Sequence, residues 1–294
     1  MTATHAAAPP VPLDLRRQDA TSQLDRVEAA LGVVLNREAM VVKRRSIGLP
    51  TTRGTWVRVE ARPYARIRAE QQSWDGTEAA ALMDGVSKPS WLAAASWNDT
   101  DQQLMWRADE TSLVAAPPVR SAGLITEVPQ LENSWWTTLA SSLEALASHA
   151  TTRIATPDTL PITQARITKS IESVFPGRID SRISTWTTAH ADLNWANLTA
   201  PTCVILDWED WGRAPRGLDA ANLWFNSLSL PDLADMVAGH LEADLTSRDG
   251  ALCALFLCCQ HIEHDPDVND GLTPAARHAA ENLLVALEAF GTDQ

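Results

Sequence analysis

The sequence predicts an α+β chain of two lobes, a small antiparallel β-rich N-lobe followed by a larger, mainly helical C-lobe. Three observations predict it. At 294 residues the chain is long enough that two smaller cores are expected over one large one. Between residue 20 and about residue 110, short β-branched and aromatic runs alternate with turns. From Pro117 onward apolar residues recur at helical spacing. The resulting division is a disordered tail over 1–18, an N-lobe over 19–108 and a C-lobe over 109–294.

The tail is rich in Ala and Pro and lacks a basic start followed by an apolar block, so it does not read as a signal peptide and a cytoplasmic location is expected. "DATSQLDRVEAALG" then carries apolar Leu24, Val27 and Leu31 and stops at Gly32, which predicts a short amphipathic helix. Runs at 39–46 and 55–61 flank a Gly/Pro/Thr turn and predict an antiparallel pair. "DGTEAAALMDG" reads as a short helix bounded by glycines. "PSWLAAASW" and "QQLMWRA", separated by the polar turn "NDTD", predict two more strands.

A connector near 106–117 leads to two helices, in "LENSWWTTLASSLEALASHATTR" and "PITQARITKSIESVFPG". "RISTWTTAHADL" is β-branched, and four further stretches, the last "PAARHAAENLLVALEAF", are helical again. No period repeats along the chain.

Composition excludes some partners. A net charge of −13 argues against nucleic acid, whose phosphate backbone needs a basic surface. No stretch approaches the roughly 18 apolar residues of a spanning helix, so no membrane partner is expected. Cys203, Cys253, Cys258 and Cys259 show no paired CxxC spacing, and three lie in the apolar "CALFLCC"; buried, reduced thiols are expected. Cys203 has no charged neighbour and reads as inert. Tryptophan is abundant, twelve against four Phe and one Tyr; most should pack in the core, and some could stack on a planar ligand. A monomer or a homodimer is expected.

The chemistry concentrates in "HADLNWANL" (190–198) and "VILDWEDWG" (204–212). Phosphoryl transfer needs a carboxylate that accepts the proton of the attacking hydroxyl, and an amide and a second carboxylate that hold Mg²⁺ against the phosphates. His190-x-Asp192-x-x-x-x-Asn197, followed by a strand ending at Asp207, supplies these parts in order. The intervening "LTAPTCVIL" reads as strand, Pro-containing turn and strand, which would return Asp207 to the end that carries Asn197. Taken singly, Asp and Asn here are also ordinary turn formers. Neither a GxxxxGK[ST] phosphate loop nor a GxSxG elbow is present.

In "HADLNWAN", "VILDWEDWG" and "GLDAANLW" the chain resembles the aminoglycoside phosphotransferase and choline kinase-like family of small-molecule kinases, which have a bilobal protein kinase-like fold. The resemblance implies Asp192 as catalytic base, Asn197 and Asp207 as metal ligands, His190 as organiser of the loop and Asp219 as its buried brace. Ala191 stands where the family has Gly.

In the N-lobe it implies Arg58 as the phosphate-pairing cation and Glu78 as its ion-pair partner; solvated charges explain both residues equally well. It further implies Trp106, in "MWRAD" (105–109), as part of the hinge whose backbone reads the base. The family's GxGxxG loop is absent, and "SIGLPTTRG" (46–54), with Gly48, stands as a loose substitute. Two clear strands precede the Glu78 helix where the family has three.

Glu209 and Asp210 lie near the expected acceptor position and could bind an amine-bearing substrate, turn toward a second metal, or be surface acids. His261 and His264 in "HIEHD" lack a third ligand at metal-site spacing and read as helix-end histidines. The implied activity is transfer of the γ-phosphoryl of ATP or GTP, with Mg²⁺, to a hydroxyl-bearing small molecule. An aminoglycoside-like antibiotic, in resistance or biosynthesis, is one acceptor class, and amino alcohols or sugars are another. The competing reading is a catalytically inactive kinase-like protein that binds nucleotide or ligand.

Overall fold

The structure is a computed structural model and describes residues 13–292 except 71, 73, 122, 158, 159 and 265–271. Most of the expected tail, residues 1–12, lies outside the described residues. The chain divides into two units, one formed by residues up to Ala69 with Ser90–Leu113, the other by Glu70–Pro89 with the chain from Val114 onward.

The first unit is built on a five-stranded antiparallel sheet. Its strands are β1 (Val41–Val42), β2 (Ser46–Pro50), β3 (Thr55–Pro63), β4 (Trp91–Asp99) and β5 (Leu104–Ser112), in the order β1-β2-β3-β5-β4. Side chains alternate across β3, so Val57, Val59 and Ala61 face one side with Trp106 and Ala108 of β5. Helix α1 (Thr21–Leu31) supplies Leu24 and Val27 to that core, and Gly32 ends it in the left-handed region. Leu15, in a short 3-10 turn over Leu15–Arg17, is buried in the same core, so the packed unit includes residues that composition assigned to the tail.

The other side of β3 carries Arg58, Glu60 and Arg62, cross-strand from Asp109, Arg107 and Met105. Arg107 grips Asp109 with two bonds of 2.7 Å. At the end of the sheet, Arg53 in the β2–β3 turn pairs with Glu110, which is fully buried. Thr55 Oγ1 donates to the same carboxylate at 2.5 Å.

Three expectations are corrected here. The single strand expected over 39–46 is two strands, because Lys43-Arg44-Arg45 cannot place three successive cations along a half-buried strand and the chain turns there. Three strands, not two, therefore precede the Glu78 helix. "SIGLPTTRG" is not a loop: its first five residues are β2, and only 51–54 turn. Gly48 is required by packing, since a Cβ there would sit 2.2 Å from the Trp56 indole. Finally, the connector expected near 106–117 begins later: "MWRAD" lies within β5, paired on both sides, and the strand continues to Ser112.

The second unit is mainly helical. It contains α3 (Gly76–Ala79), α4 (Asn133–Ser148), α5 (Gln164–Val174), α6 (Leu218–Phe225), α7 (Pro231–His240), α8 (Glu242–Leu245), α9 (Arg248–His264) and α10 (Leu272–Thr292); α2 (Tyr64–Glu70) joins the two segments of chain. One core is formed by α5, α9 and α10 with Ala189, Ala191 and Leu218. A second joins Trp135, Trp136, Leu139 and Leu143 of α4 to Leu193, Trp195, Leu198 and Ile205. The residues carrying the candidate chemistry thus run between two cores. No described helix is long and apolar enough to cross a membrane.

A two-stranded sheet pairs β6 (Trp186–Ala189) with β7 (Gly212–Pro215). The hairpin expected across "LTAPTCVIL" is reduced to a single bridge between Leu198 and Ile205. Side chains take the backbone groups a ladder would use: Trp135 Nε1 donates to Thr199 O at 2.7 Å, and Thr199 Oγ1 donates to Thr202 O at 2.6 Å. Pro201 has no N–H to offer.

Candidate active site

Residues 190–198 alternate between core and exterior. Ala191, Leu193, Trp195 and Asn197 are buried, whereas Asp192 is exposed and Asn194 and Ala196 are intermediate. The apolar members therefore anchor the loop and leave the Asp192 carboxylate accessible. Its orientation is fixed by two amides. Asn197 Nδ2 donates to Asp192 O at 2.8 Å and to Oδ2 at 3.0 Å, and Asn194 Nδ2 donates to Asp192 O and Oδ1, each at 3.1 Å.

Asp219 sits one residue into α6, after Gly217, whose φ of +88° permits the abrupt entry into the helix. Its two carboxylate oxygens accept the backbone N–H groups of His190 at 2.8 Å and Ala191 at 2.7 Å. Burial pushes the Asp219 carboxyl up from its ordinary value, against the opposing pull of His190 and the two N–H donors. Asn222, three residues on and on the same helix face, donates to Ala191 O at 2.9 Å. Ala191 is thereby held at φ +69°, a left-handed conformation that a Cβ disfavours.

His190 bonds through Nε2 to the carbonyl of Leu206 at 2.8 Å, which makes Nε2–H the donor. Its ring stands edge-on to Trp208, centroids 4.9 Å apart. Leu206 N–H donates in turn to Asn197 O at 2.8 Å. Leu206 is thus tied to both His190 and Asn197, and Asp207 follows it directly at φ +68°. Only three described residues other than glycine have positive φ, and two of them are Ala191 and Asp207; such conformations persist where surrounding contacts enforce them.

The structure therefore gathers His190, Asp192, Asn197, Asp207 and Asp219 in one region of the second unit. Arg58 lies at the middle of β3, in the first unit, whereas Glu78 is an exposed residue of α3, in the second. The Trp106 indole is buried and stacked on Trp97 at 6.2 Å, and its backbone lies in the sheet.

Asp210 is buried and accepts from Thr156 Oγ1 at 3.2 Å, while its carbonyl accepts Thr156 N–H at 2.9 Å, so it anchors the chain before β7. Glu209 remains partly exposed. Cys203 is buried with its thiol pushed up to about 12 by desolvation, which makes it unreactive. His261 bonds Thr273 Oγ1 at 3.0 Å and His264 bonds Gln260 O at 2.8 Å, both near helix ends. Sequence reasoning missed Asn194 and Asn222; the D-x-N and D-x-x-N spacings were the available signals.

Hard oxygen donors suit Mg²⁺. With Nδ2 of Asn197 committed to Asp192, its Oδ1 is left facing away from that bond, and Asp207 adds a carboxylate. Among the described residues no group of three His, Cys, Asp or Glu could hold a metal by itself. An amide and a carboxylate fit an ion that takes its remaining ligands from phosphates and water.

A five-stranded antiparallel sheet followed by a mainly helical unit with this loop arrangement defines a protein kinase-like fold. No protein-family model and no curated protein matches the sequence. Among solved structures, the chain is similar to amicoumacin kinase hAmiN in complex with AMP-PNP, Ca²⁺ and Ami, at 11% identity over 92% of this chain and 95% of that one, TM-score 0.54. It is similar to aminoglycoside phosphotransferase APH(4)-Ia at 9% identity over 91% and 99% of the two chains, TM-score 0.55. It is similar to the GDP and kanamycin complex of APH(2")-IIia at 11% identity over 91% and 98%, TM-score 0.55. The chain has the fold of the aminoglycoside phosphotransferases.

Proposed function

We propose that this chain is a small-molecule kinase that transfers the γ-phosphoryl of ATP or GTP to an acceptor hydroxyl. The observation that carries the reading is the linkage of Asp192, Asn197 and Leu206–Asp207 through Asn197, whose side chain holds Asp192 and whose carbonyl holds Leu206. Solved structures of the same fold contain AMP-PNP or GDP together with an antibiotic, which supports the nucleotide and the acceptor class.

Asp192, exposed and clamped by two amides, would orient the acceptor hydroxyl and take its proton as the new P–O bond forms. Asn197 and Asp207 would hold a divalent cation, which supplies charge neutralisation across the phosphates. Asp219 and Asn222 keep the loop in shape, and His190 ties it to Leu206. Arg58 would contact phosphate. The acidic protein, with Glu209 two residues beyond Asp207, favours a cationic acceptor such as an aminoglycoside, in resistance or biosynthesis. The protein would work in the cytoplasm as a monomer or homodimer.

One observation favours the inactive alternative: β2 occupies the stretch expected to cover the phosphates, and Gly48 there packs under Trp56 and leaves no glycine-rich cradle. The test is incubation with Mg²⁺ and γ-labelled ATP or GTP against a panel of aminoglycosides, nucleosides, macrolides, amino alcohols and sugars. The expected result is label transferred to at least one acceptor. Nucleotide binding without transfer to any acceptor selects the inactive reading, and absence of nucleotide binding removes the enzyme reading.

A further inference from the structure

Asp207 has a left-handed backbone, φ +68°, a conformation that persists where contacts on both sides enforce it. On its N-terminal side, Leu206 is tied to His190 and Asn197. On its C-terminal side, Trp208 and Glu209 place their carbonyl oxygens against Gly76, the first residue of α3. A Cβ at Gly76 would lie 2.2 Å from Glu209 O and 2.6 Å from Trp208 O, so only glycine admits the loop this closely. Trp211, buried two residues beyond Glu209, donates its indole Nε1–H to Gly76 O at 2.7 Å.

Gly76 is itself fixed from a third segment. Gln72 brackets Ile154: its side chain donates to Ile154 O at 3.1 Å and accepts Ile154 N–H at 3.0 Å. Asp75 pairs with Arg153, whose guanidinium lies 5.0 Å over the Trp211 ring. Gly212 presses on the same stretch, where a Cβ would sit 2.4 Å from the Ile154 carbonyl carbon. Residues 72–76, 153–154 and 208–212 thus meet at one place, and all belong to the second unit.

We infer that Gly76 and Trp211 are positioning residues for Asp207 and set the affinity of the site for its divalent cation. The inference rests on the kinase reading, in which Asp207 is a metal ligand. A carboxylate pinned on one side only can leave the left-handed region and carry its oxygens away from Asn197. Pinned on both sides, it keeps its place before an ion arrives, and binding the ion then costs little ordering. Removing a neighbour that orients a metal ligand typically costs about tenfold to a hundredfold in metal affinity. The two residues act differently, so each has its own substitution. Trp211→Phe keeps the ring and removes the N–H donor, and Gly76→Ala drives the 208–209 carbonyls off α3.

The test is calorimetric titration of the full chain with AMP-PNP, or its guanosine counterpart, in Mg²⁺ and in EDTA, at a temperature at which every variant is folded. The ratio of the two affinities reads the metal site apart from the rest of the nucleotide site. In the wild type Mg²⁺ is expected to tighten binding, and Asp207→Asn should abolish that gain. Trp211→Phe and Gly76→Ala should reduce the gain by about tenfold or abolish it, while affinity in EDTA stays within about twofold of wild type. Trp97→Phe, which removes a comparable indole bond, 2.9 Å to Gln23, from the core of the first unit, should keep the wild-type ratio. Should Gly76→Ala fail to fold, Trp211→Phe decides alone.

A purely structural role would lower the melting temperature of Trp211→Phe and leave the ratio unchanged. That result, with the gain lost in Asp207→Asn, overturns the positioning role and leaves the kinase reading standing. A gain that survives Asp207→Asn overturns the metal assignment and the positioning role with it. Absence of nucleotide binding by the wild type overturns both the positioning role and the enzyme reading.

Discussion

At the scale of single residues, His190 and Ala191 present two successive backbone N–H groups to one buried carboxylate, Asp219. That clamp works against the preference of Ala191, for which a left-handed conformation costs about 1–2 kcal/mol. Asp219→Ala leaves both donors buried without an acceptor, and should lower stability by about 2–4 kcal/mol in denaturant unfolding. Ala191→Gly removes the strain and also a buried methyl worth about 0.8 kcal/mol, so the two effects nearly cancel and stability should stay within about 1 kcal/mol of wild type. The sequence motif placed Asp192, Asn197, Asp207 and Asp219 in one region because each is a short polar residue at a fixed offset from an apolar anchor. It gives no hint of the bond between Asp210 and Thr156, which lies 54 residues away and leaves no local signal.

At the scale of elements, the β2–β3 turn is held by Arg53 and Thr55 on Glu110. Burial opposes the charge on Glu110, but these two donors outweigh it and hold the carboxyl below its ordinary value. A depressed folded-state value means that the carboxylate contributes stability fully above an unfolded value of about 4.3, and that the contribution is lost as pH falls through the depressed value. Melting temperature measured down through this acid range should therefore fall in the wild type, and that limb should be shallower in Glu110→Gln. At neutral pH the variant should be less stable by about 1–2 kcal/mol, a modest figure because Arg53 is half exposed to water.

Strand periodicity made β3, β4 and β5 readable. The break at Lys43–Arg45 was not read as a turn, because β-branched neighbours on both sides carried the pattern through it. The charged end of β5 is compatible with the sheet because Arg107 and Asp109 neutralise each other within the strand.

At the scale of the whole molecule, the fold class followed from the change of period near Pro117, since helical and strand spacing are the strongest signals a lone sequence carries. Less visible was the grouping of Glu70–Pro89 with the second unit. It depends on Gly76, where a Cβ would lie 2.2 Å from the Glu209 carbonyl, and on Trp211 Nε1 donating to Gly76 O at 2.7 Å. Such contacts span more than a hundred residues and have no periodic trace. Leu15 is a similar case, one apolar residue in a stretch whose composition reads as tail. The pairing of β6 with β7 in place of a 198–206 hairpin likewise reflects competition from side chains that no strand propensity records.

The central claim is that Asp192 takes the proton of an acceptor hydroxyl. It is tested most directly by the turnover of wild type and Asp192→Asn with ATP, Mg²⁺ and an acceptor found in the panel. Asp192 is exposed, so the variant should melt like wild type and bind nucleotide with similar affinity, while kcat falls by about a hundredfold or more. A variant that retains kcat within about threefold of wild type would contradict the assignment.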